Sequence, residues 1–357
     1  MKRNVLARVV AYSPALLFAT ATALCAQTYT VVDLTALQGG STVGKKINFN
    51  AQAVGQSGAL YGEHTHAFIS TAGSLLDLGT LPGGDYSSAF NINTRGAVVG
   101  DSNIDRNIRG FFWEPSAGMQ DIGTLPGDTG SRAFGINDSD KVVGYSSGPH
   151  GVAAFLWDKN KGMTNLGVLP GGDTSEALDI NNGGSVVGFS TVSSDDKHAV
   201  LWTPGSGIRD LGTLPNHSAS EAHKINNPGD VIGSSTGASG SRAFLWTAAS
   251  GMKDLGSLDG NSSSALDVNE RQQVVGVSTT AMGGHAFRWS ASAGMEDLND
   301  LIPADSGVIL TSAVGLNNRG VIIAIGVVTT DHSQPLELDD PHQHAGPIHA
   351  FLLTPHP

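Results

Sequence analysis

The sequence predicts an all-β protein, a seven-bladed β-propeller whose ring is closed by pairing of its N-terminal and C-terminal strands. Three observations in the 357 residues lead to this prediction. A unit of about 44 residues occurs seven times, each unit holds four short apolar runs, and one unit is divided between the two ends of the chain. Self-similarity at this period is typical of propellers and other repeat architectures.

Four series of residues mark the repeat. They are an Asp-Leu motif or its equivalent, a glycine that mostly follows two β-branched residues, an asparagine after an aliphatic residue, and an apolar run that usually contains an aromatic residue. In chain order they are Asp33, Asp77, Asp121, Asn165, Asp210, Asp254 and Asp297; Gly55, Gly100, Gly144, Gly188, Gly233, Gly276 and Gly326; Asn48, Asn93, Asn137, Asn181, Asn226, Asn269 and Asn317; and residues 67–68, 111–113, 155–157, 200–202, 244–246, 287–289 and 351–353.

The apolar runs within each unit are too short to form a regular helix. In one unit the apolar runs are residues 154–157, 162–166, 177–180 and 185–189, separated by Gly, Pro, Asn, Asp and Ser clusters. Short runs bounded by such residues predict strands and turns. Residues 181–184, Asn-Asn-Gly-Gly, predict a hairpin, because Asn and Gly tolerate positive φ. Four antiparallel strands in about 44 residues correspond to one propeller blade.

The phase of the repeat favours a closed ring. The chain reaches its first strand at residues 29–34, the second strand of a unit, and ends on an isolated first strand at 350–353. If these two segments pair, they complete a seventh blade and remove both open sheet edges, which otherwise promote aggregation. The alternative is an open β-solenoid, which gives no reason for dividing one unit between the two ends.

The N-terminal segment predicts export. Three basic residues lie within the first eight positions, residues 9–24 are largely apolar, and Ala26 is the small residue that a signal peptidase requires. We therefore expect a cleaved signal peptide over 1–26 and a single propeller domain over 27–357, secreted or periplasmic. The one cysteine, Cys25, would leave with the signal, so the mature chain would have no disulfide.

Charge and motif content exclude several functions. The chain carries 20 Lys and Arg against 32 Asp and Glu, a net charge of −12, which disfavours nucleic acids and anionic membranes as partners. The apolar stretch 308–328 is interrupted by polar residues and predicts no membrane span. No nucleotide-binding, zinc-protease or EF-hand motif occurs. We expect an extracellular or periplasmic protein or glycan as the partner, and a monomer.

The tripeptide His-Ala-Phe occurs at 66–68, 285–287 and 349–351, and 77–84 read Asp-Leu-Gly-Thr-Leu-Pro-Gly-Gly. Through these linked motifs the chain resembles the HAF-repeat family, bacterial repeat proteins expected to be extracellular, over residues 29–353. The resemblance implies an exported repeat protein and supplies no reaction or catalytic residue. Other copies carry Arg109, Ala153, His198 and Arg242 at or beside the His position. The histidine is therefore not expected to be catalytic in every blade.

Three sets of repeated residues have both a chemical and a structural interpretation. Ser146 lies in a Gly-x-Ser-x-Gly sequence, but a nucleophile elbow needs a strand running into a helix, and Ser102, Ser190 and Ser278 occupy the same repeat position. The Asp-Leu series could form a ring of carboxylates, yet a turn or backbone cap is the simpler interpretation. The five tryptophans could stack on sugars or pack one blade against the next, and packing is the simpler interpretation: Trp113, Trp157, Trp202, Trp246 and Trp289.

The largest departure from the repeat is an insertion at about 327–347. It is rich in acids and histidines, and His342 and His344 would lie on one side of an extended segment, as two metal ligands must. His64 and His66 form a second pair in the equivalent loop of the next unit around the ring. The four histidines, with acids nearby, could bind zinc, copper or nickel. The alternative is a solvated polar loop. Smaller departures occur at residues 102–109 and 193–198.

The functional prediction is an exported propeller that acts as a binding or interaction module. Its ligand would lie on the face or the axial mouth formed by irregular loops between blades. The alternatives are a propeller enzyme acting on an extracellular glycan, with carboxylates or a metal at that mouth, and a structural matrix protein. The sequence identifies no catalytic residue, and a divalent metal is the one cofactor that it suggests.

Overall fold

The computed structural model describes residues 28–34, 41–58, 65–71, 74–105, 107–260, 262–328 and 348–356. These residues form 28 β-strands in seven four-stranded antiparallel sheets and one 3₁₀ helix, Leu298–Leu301. No α-helix occurs in these ranges, and none of their helical segments is long and apolar enough to cross a membrane. Each sheet is one blade, so the prediction of a seven-bladed propeller is confirmed.

The strands follow one order in every blade, from the innermost strand outwards. The first blade is β2 (Ser41–Ile47), β3 (Ala53–Gly58), β4 (His66–Thr71) and β5 (Ser74–Asp77). The second is β6 (Ser87–Ile92), β7 (Val98–Ile104), β8 (Asn107–Glu114) and β9 (Gly118–Asp121), and the third is β10 (Gly130–Ile136), β11 (Val142–Gly148), β12 (Gly151–Asp158) and β13 (Gly162–Asn165). The fourth is β14 (Ser175–Ile180), β15 (Val186–Thr191), β16 (Lys197–Thr203) and β17 (Gly207–Gly212). The fifth is β18 (His217–Ile225), β19 (Val231–Gly237), β20 (Gly240–Thr247) and β21 (Gly251–Asp254), and the sixth is β22 (Ser263–Val268), β23 (Val274–Thr280), β24 (Gly283–Ser290) and β25 (Gly294–Asp297).

The seventh blade joins the two ends of the chain. It consists of β26 (Val308–Leu316), β27 (Ile322–Val328), β28 (Ile348–Pro355) and, outermost, β1 (Tyr29–Leu34). Strand β1 pairs along its full length with β28 in antiparallel register, as the phase of the repeat predicted. The first strand of each blade ends just before the repeated asparagine. These first strands contact their counterparts in the neighbouring blades around the ring, so they are the innermost strands. Those seven strands therefore line the central channel.

The repeated glycine of the second strand is required by a close approach between strands. The inner strand of the third blade has a register shift between Ala133 and Gly135, and its Arg132 carbonyl oxygen points at Gly144. A Cβ on Gly144 would lie 1.8 Å from that oxygen. At the six other members of the series, the corresponding distance to an inner-strand carbonyl is between 1.9 and 2.3 Å. No other residue fits, which explains why the glycine recurs.

The hydrophobic core lies between blades. One cluster combines Val54 and Ala67 of the first blade with Ile92, Val98 and Phe111 of the second, all buried. Comparable clusters follow around the ring, so every blade contributes apolar side chains to its neighbours. The five tryptophans lie in or against these clusters. Their interpretation as packing residues, rather than a sugar-stacking surface, is confirmed.

The repeated asparagines form a closed ring of hydrogen bonds. Each asparagine Nδ2 donates to the backbone carbonyl of the next member of the series at 3.0–3.3 Å, and Asn317 donates to Asn48 to complete the circle. Asn137 Oδ1 also accepts from the backbone N–H groups of Ser139 and Lys141 in its own hairpin. A side-chain amide both donates and accepts, which explains why asparagine recurs here.

We expect Asn137→Ala to lower the free energy of unfolding by about 2–4 kcal/mol, because it removes one buried and two part-buried hydrogen bonds and leaves their partners unsatisfied. Urea denaturation measures this change. The matched control is Asn160→Ala, at an exposed hairpin position outside the ring, which we expect to stay within about 0.5 kcal/mol. Equal effects of the two substitutions would contradict a stabilising role for the ring.

Candidate functional site

The histidine of the His-Ala-Phe motif contacts the aspartate of the Asp-Leu motif. His66 Nδ1 lies 2.9 Å from Asp77 Oδ2, between the third strand and the outermost strand of the blade. The same pair forms at His198 and Asp210, at His285 and Asp297, and at His349 and Asp33, with distances of 2.6–2.8 Å. The other oxygen of Asp77 accepts from the Gly79 backbone N–H at 2.7 Å. The Asp-Leu carboxylate is therefore a turn cap, as the simpler interpretation held.

The predicted metal site lies mostly outside the described residues. His64, His342 and His344 fall there, as does the rest of the insertion between residues 329 and 347. His66 is described, and its Nδ1 faces Asp77. Within the described ranges no group of three or more His, Cys, Asp or Glu residues is arranged to hold a metal. The four-histidine site therefore stays a prediction.

Ser146 has a structural role. Its Oγ donates to Asp128 Oδ2 at 2.6 Å and accepts from the Leu125 backbone N–H at 3.0 Å. The corresponding serines accept from the backbone N–H of a leucine in the same way: Ser102, Ser190, Ser235 and Ser278. Each of these bonds joins the second strand to the turn that leads into its own blade. The serine thus anchors a turn in five blades, and the nucleophile interpretation is not needed.

The inner strands that line the central channel carry a position that differs from blade to blade. The residue four positions before each ring asparagine is always Gly or Ala, whereas the residue three positions before it changes from blade to blade. The variable residues are Lys45, Phe90, Phe134, Leu178, His223, Leu266 and Val314. All seven line one cavity of about 360 Å³. We call it the axial cavity; its volume falls in the range of roughly 300–1,000 Å³ typical of small-molecule sites.

The wall of the axial cavity is largely apolar. Phe90 and Phe134 meet edge to face with ring centroids 5.1 Å apart, and Tyr145 lies against Phe134 at 5.7 Å. Leu178 and Leu266, together with Val314, supply aliphatic surface. Aromatic rings in contact hold one another in a defined geometry. The cavity thus offers a preformed apolar surface.

A charged layer closes the axial cavity on one side. It is formed by the residues two positions before the ring asparagines, where Lys46 Nζ lies 2.5 Å from Asp267 Oδ1 and Lys224 Nζ lies 3.5 Å from Asp179 Oδ1. Asn91 donates to Asp179 at 3.2 Å across the third blade, where the layer position is a glycine. Beyond this layer lies a second cavity of about 180 Å³, which shares no lining residue with the first.

The second cavity opens between the hairpins that carry the asparagine ring. The residue after each ring asparagine forms an outer ring, in which five backbone N–H groups donate to the side chain of the next blade: Thr94 to Asp138, Asp138 to Asn182, Asn182 to Asn227, Asn227 to Glu270, and Glu270 to Asn318. Phe49 interrupts this ring, with the Arg319 guanidinium 4.4 Å from its centroid. Because these polar groups already satisfy one another, the axial cavity is the stronger candidate for a ligand site.

Lys45 lines the axial cavity and interacts electrostatically with two ionisable residues outside its lining, Asp101 and Arg132. Asp101 is fully buried and Arg132 Nε lies 3.0 Å from its Oδ2. Burial raises the pKa of Asp101, and the positive charges of Arg132 and Lys45 oppose that shift. Burial lowers the pKa of Lys45 to about 8, with Asp101 opposing the shift and Arg132 adding to it. Perturbed ionisable groups at a cavity mark a candidate functional site.

Sequence reasoning expected the site at the axial mouth but looked for it in loops. Ten of the eleven described lining residues instead come from the inner strands, and every blade contributes at least one. Comparing the seven units column by column would have revealed them, because a variable position follows directly after one that is always Gly or Ala. No pattern in the chain, however, shows that this column faces the axis rather than a neighbouring blade.

No protein-family model matches the chain, and no curated protein matches it. Its fold is similar to that of a streptogramin B lyase (TM-score 0.56, 9% identity, 92% of this chain and 98% of that one). It is also similar to YCF48 bound to D1 peptide (TM-score 0.52, 12% identity, 92% and 97%). A prolyl endopeptidase structure matches with a TM-score of 0.55 and 12% identity, over 84% of this chain and 46% of that one. At these identities the likeness shows the propeller fold alone.

Proposed function

We propose that the chain is an exported binding module whose ligand occupies the axial cavity. One observation carries the proposal: seven positions that vary from blade to blade converge on that cavity, each directly after a position that is always Gly or Ala. The asparagine ring and the charged layer hold the inner strands in place, so the cavity is formed before a ligand arrives. Such preorganisation lowers the entropic cost of binding.

The volume of the axial cavity indicates the size of the ligand that it can hold. A volume of about 360 Å³ suits a small molecule, or one projecting group of a larger protein or glycan, better than a flat protein surface. Export, membership of the HAF-repeat family and a periplasmic or extracellular partner belong to the same proposal. They rest on the signal-like segment 1–26 and on the repeated tripeptide.

The neutral fluorescent probe N-phenyl-1-naphthylamine tests the cavity. We expect saturable binding to the wild-type chain, and affinity at least tenfold weaker in Leu178→Arg, which places a charge on the apolar wall. Val314→Phe, which fills the cavity with apolar atoms, serves as a second variant. Leu76→Arg, on an exposed outer strand, is the matched control and should bind normally. Undiminished binding by both cavity variants would contradict the proposal.

An enzyme acting on an extracellular glycan is less well supported. Glycoside hydrolysis uses two carboxyl groups roughly 5–9.5 Å apart across the substrate. None of the described residues that line the axial cavity is an acid, and Asp101, which interacts with Lys45, is paired with Arg132. Binding without catalysis therefore accounts better for the residues at this site.

A further inference from the structure

Lys45 is a partly buried cation for which the described part of the chain supplies no anionic partner. Its ammonium lies 4.0 Å from the centroid of the Phe90 ring, and both residues line the axial cavity. Among the described residues, no carboxylate lies within ion-pair distance of Lys45 Nζ. Asp101 is the acid that acts electrostatically on Lys45, and it is already paired with Arg132. A charge removed from water without a partner is costly, so a ligand anion would stabilise it.

The described ionisable residues of the axial cavity are basic, whereas the protein as a whole is negatively charged. The chain carries a net charge of −12, yet the three ionisable residues among the described lining of the axial cavity are all basic: Lys45, His223 and Lys224. Lys224 is paired with Asp179, and His223 Nδ1 lies 2.7 Å from the Ala265 carbonyl oxygen. Of these three, Lys45 alone has no acceptor among the described residues, which matches a ligand with a single negative charge.

We propose that the ligand is an apolar monocarboxylate, with its carboxylate at Lys45 Nζ and its hydrocarbon part against the cavity wall. The inference rests on the proposed function and specifies its ligand class. Phe90 and Phe134 face the hydrocarbon part on one side, and Leu178 and Leu266 with Val314 supply the remaining apolar surface. A phosphate dianion would require a second unpaired cation, which the described lining residues do not supply.

Two pairs of matched probes test the ligand class by isothermal titration at pH 7. Decanoate is compared with decanol, and 1-naphthaleneacetate with 2-(1-naphthyl)ethanol, so that the members of each pair share a carbon skeleton and differ in a charged or neutral head group. We expect each acid that binds to do so at least tenfold more tightly than its alcohol. Lys45→Met, similar in shape but neutral, should reduce this preference to parity. Lys253→Met, an exposed lysine 5.2 Å from the Trp289 ring, should keep it.

The outcomes separate this inference from the proposed function. Equal binding of acids and alcohols to the wild-type chain would overturn the carboxylate inference and leave cavity binding intact. No binding of any probe would overturn both. Binding of one acid alone would support the inference and identify the hydrocarbon part as aliphatic or aromatic. A preference that survives in Lys45→Met would overturn the role of Lys45.

The affinity for the acid should also fall as pH rises through about 8. There Lys45 loses the proton that attracts the carboxylate, since burial lowers its pKa to that range. The other charged or titratable groups facing it are Asp101 on β7, Arg132 on β10, and His223 and Lys224 on β18. Lys45→Met should show no such decline, which distinguishes Lys45 from these neighbours.

Discussion

Replacing Gly144 by alanine is expected to lower the free energy of unfolding by more than about 4 kcal/mol, or to prevent folding. The new Cβ would lie 1.8 Å from the Arg132 carbonyl oxygen and 3.0 Å from the Phe155 ring. Because the oxygen belongs to the backbone of an inner strand, it cannot move without displacing that strand from the channel wall. Urea denaturation followed by far-UV circular dichroism measures the change.

Gly284→Ala is the matched control for this substitution. Gly284 also lies in a strand, but the atoms nearest to its added Cβ are 3.4 Å away, which is ordinary contact. We expect its stability to change by less than about 1 kcal/mol. Gly326→Ala, with 2.3 Å to the Ile309 carbonyl oxygen, provides a less severe member of the same series. Equal stability of Gly144→Ala and Gly284→Ala would refute the close-approach explanation of the repeated glycine.

Lys45→Met is expected to stabilise the ligand-free protein by about 1–3 kcal/mol at pH 7. The pKa of Lys45 falls from 10.5 to about 8 on folding, so burying its charge opposes folding wherever the lysine is protonated in both states. Methionine keeps a similar shape in the apolar cavity and carries no charge. A lysine retained for stability would give the opposite sign, so the measurement separates a ligand-binding role from a structural one.

The pH dependence gives this prediction a second readout. Between pH 8 and 10.5 the unfolded chain keeps the Lys45 proton and the folded chain releases it, so the contribution of this residue to unfolding free energy rises with pH. The advantage of Lys45→Met should therefore be full below pH 8 and shrink as the pH approaches 10.5. Lys253→Met, at an exposed site, should show neither effect. A destabilised Lys45→Met protein would contradict the prediction.

The repeat alone was enough to predict the ring. The spacing of the Asp-Leu series and the short apolar runs predict strands, and the strand at 29–34 needs the strand at 350–353 to complete a blade. Pairing of β1 with β28 confirms that prediction. These features are local, or follow from counting, so they need no knowledge of distances. The repeat unit defined from the sequence nevertheless starts at the third strand of a blade, two strands after the blade itself begins. The sequence does not show which strand lies innermost.

The candidate site depended on convergence that no local pattern encodes. Lys45 and Phe134 are separated by two blades, and His223 by two more, yet all three line one cavity. The sequence by itself determined the number of blades, the closure of the ring and the structural role of the repeated residues, because each follows from periodicity and turn chemistry. Only the tertiary structure decided which variable column faces the axis and that Lys45 lies there with no described carboxylate beside it, because seven inner strands must meet before their side chains share one space.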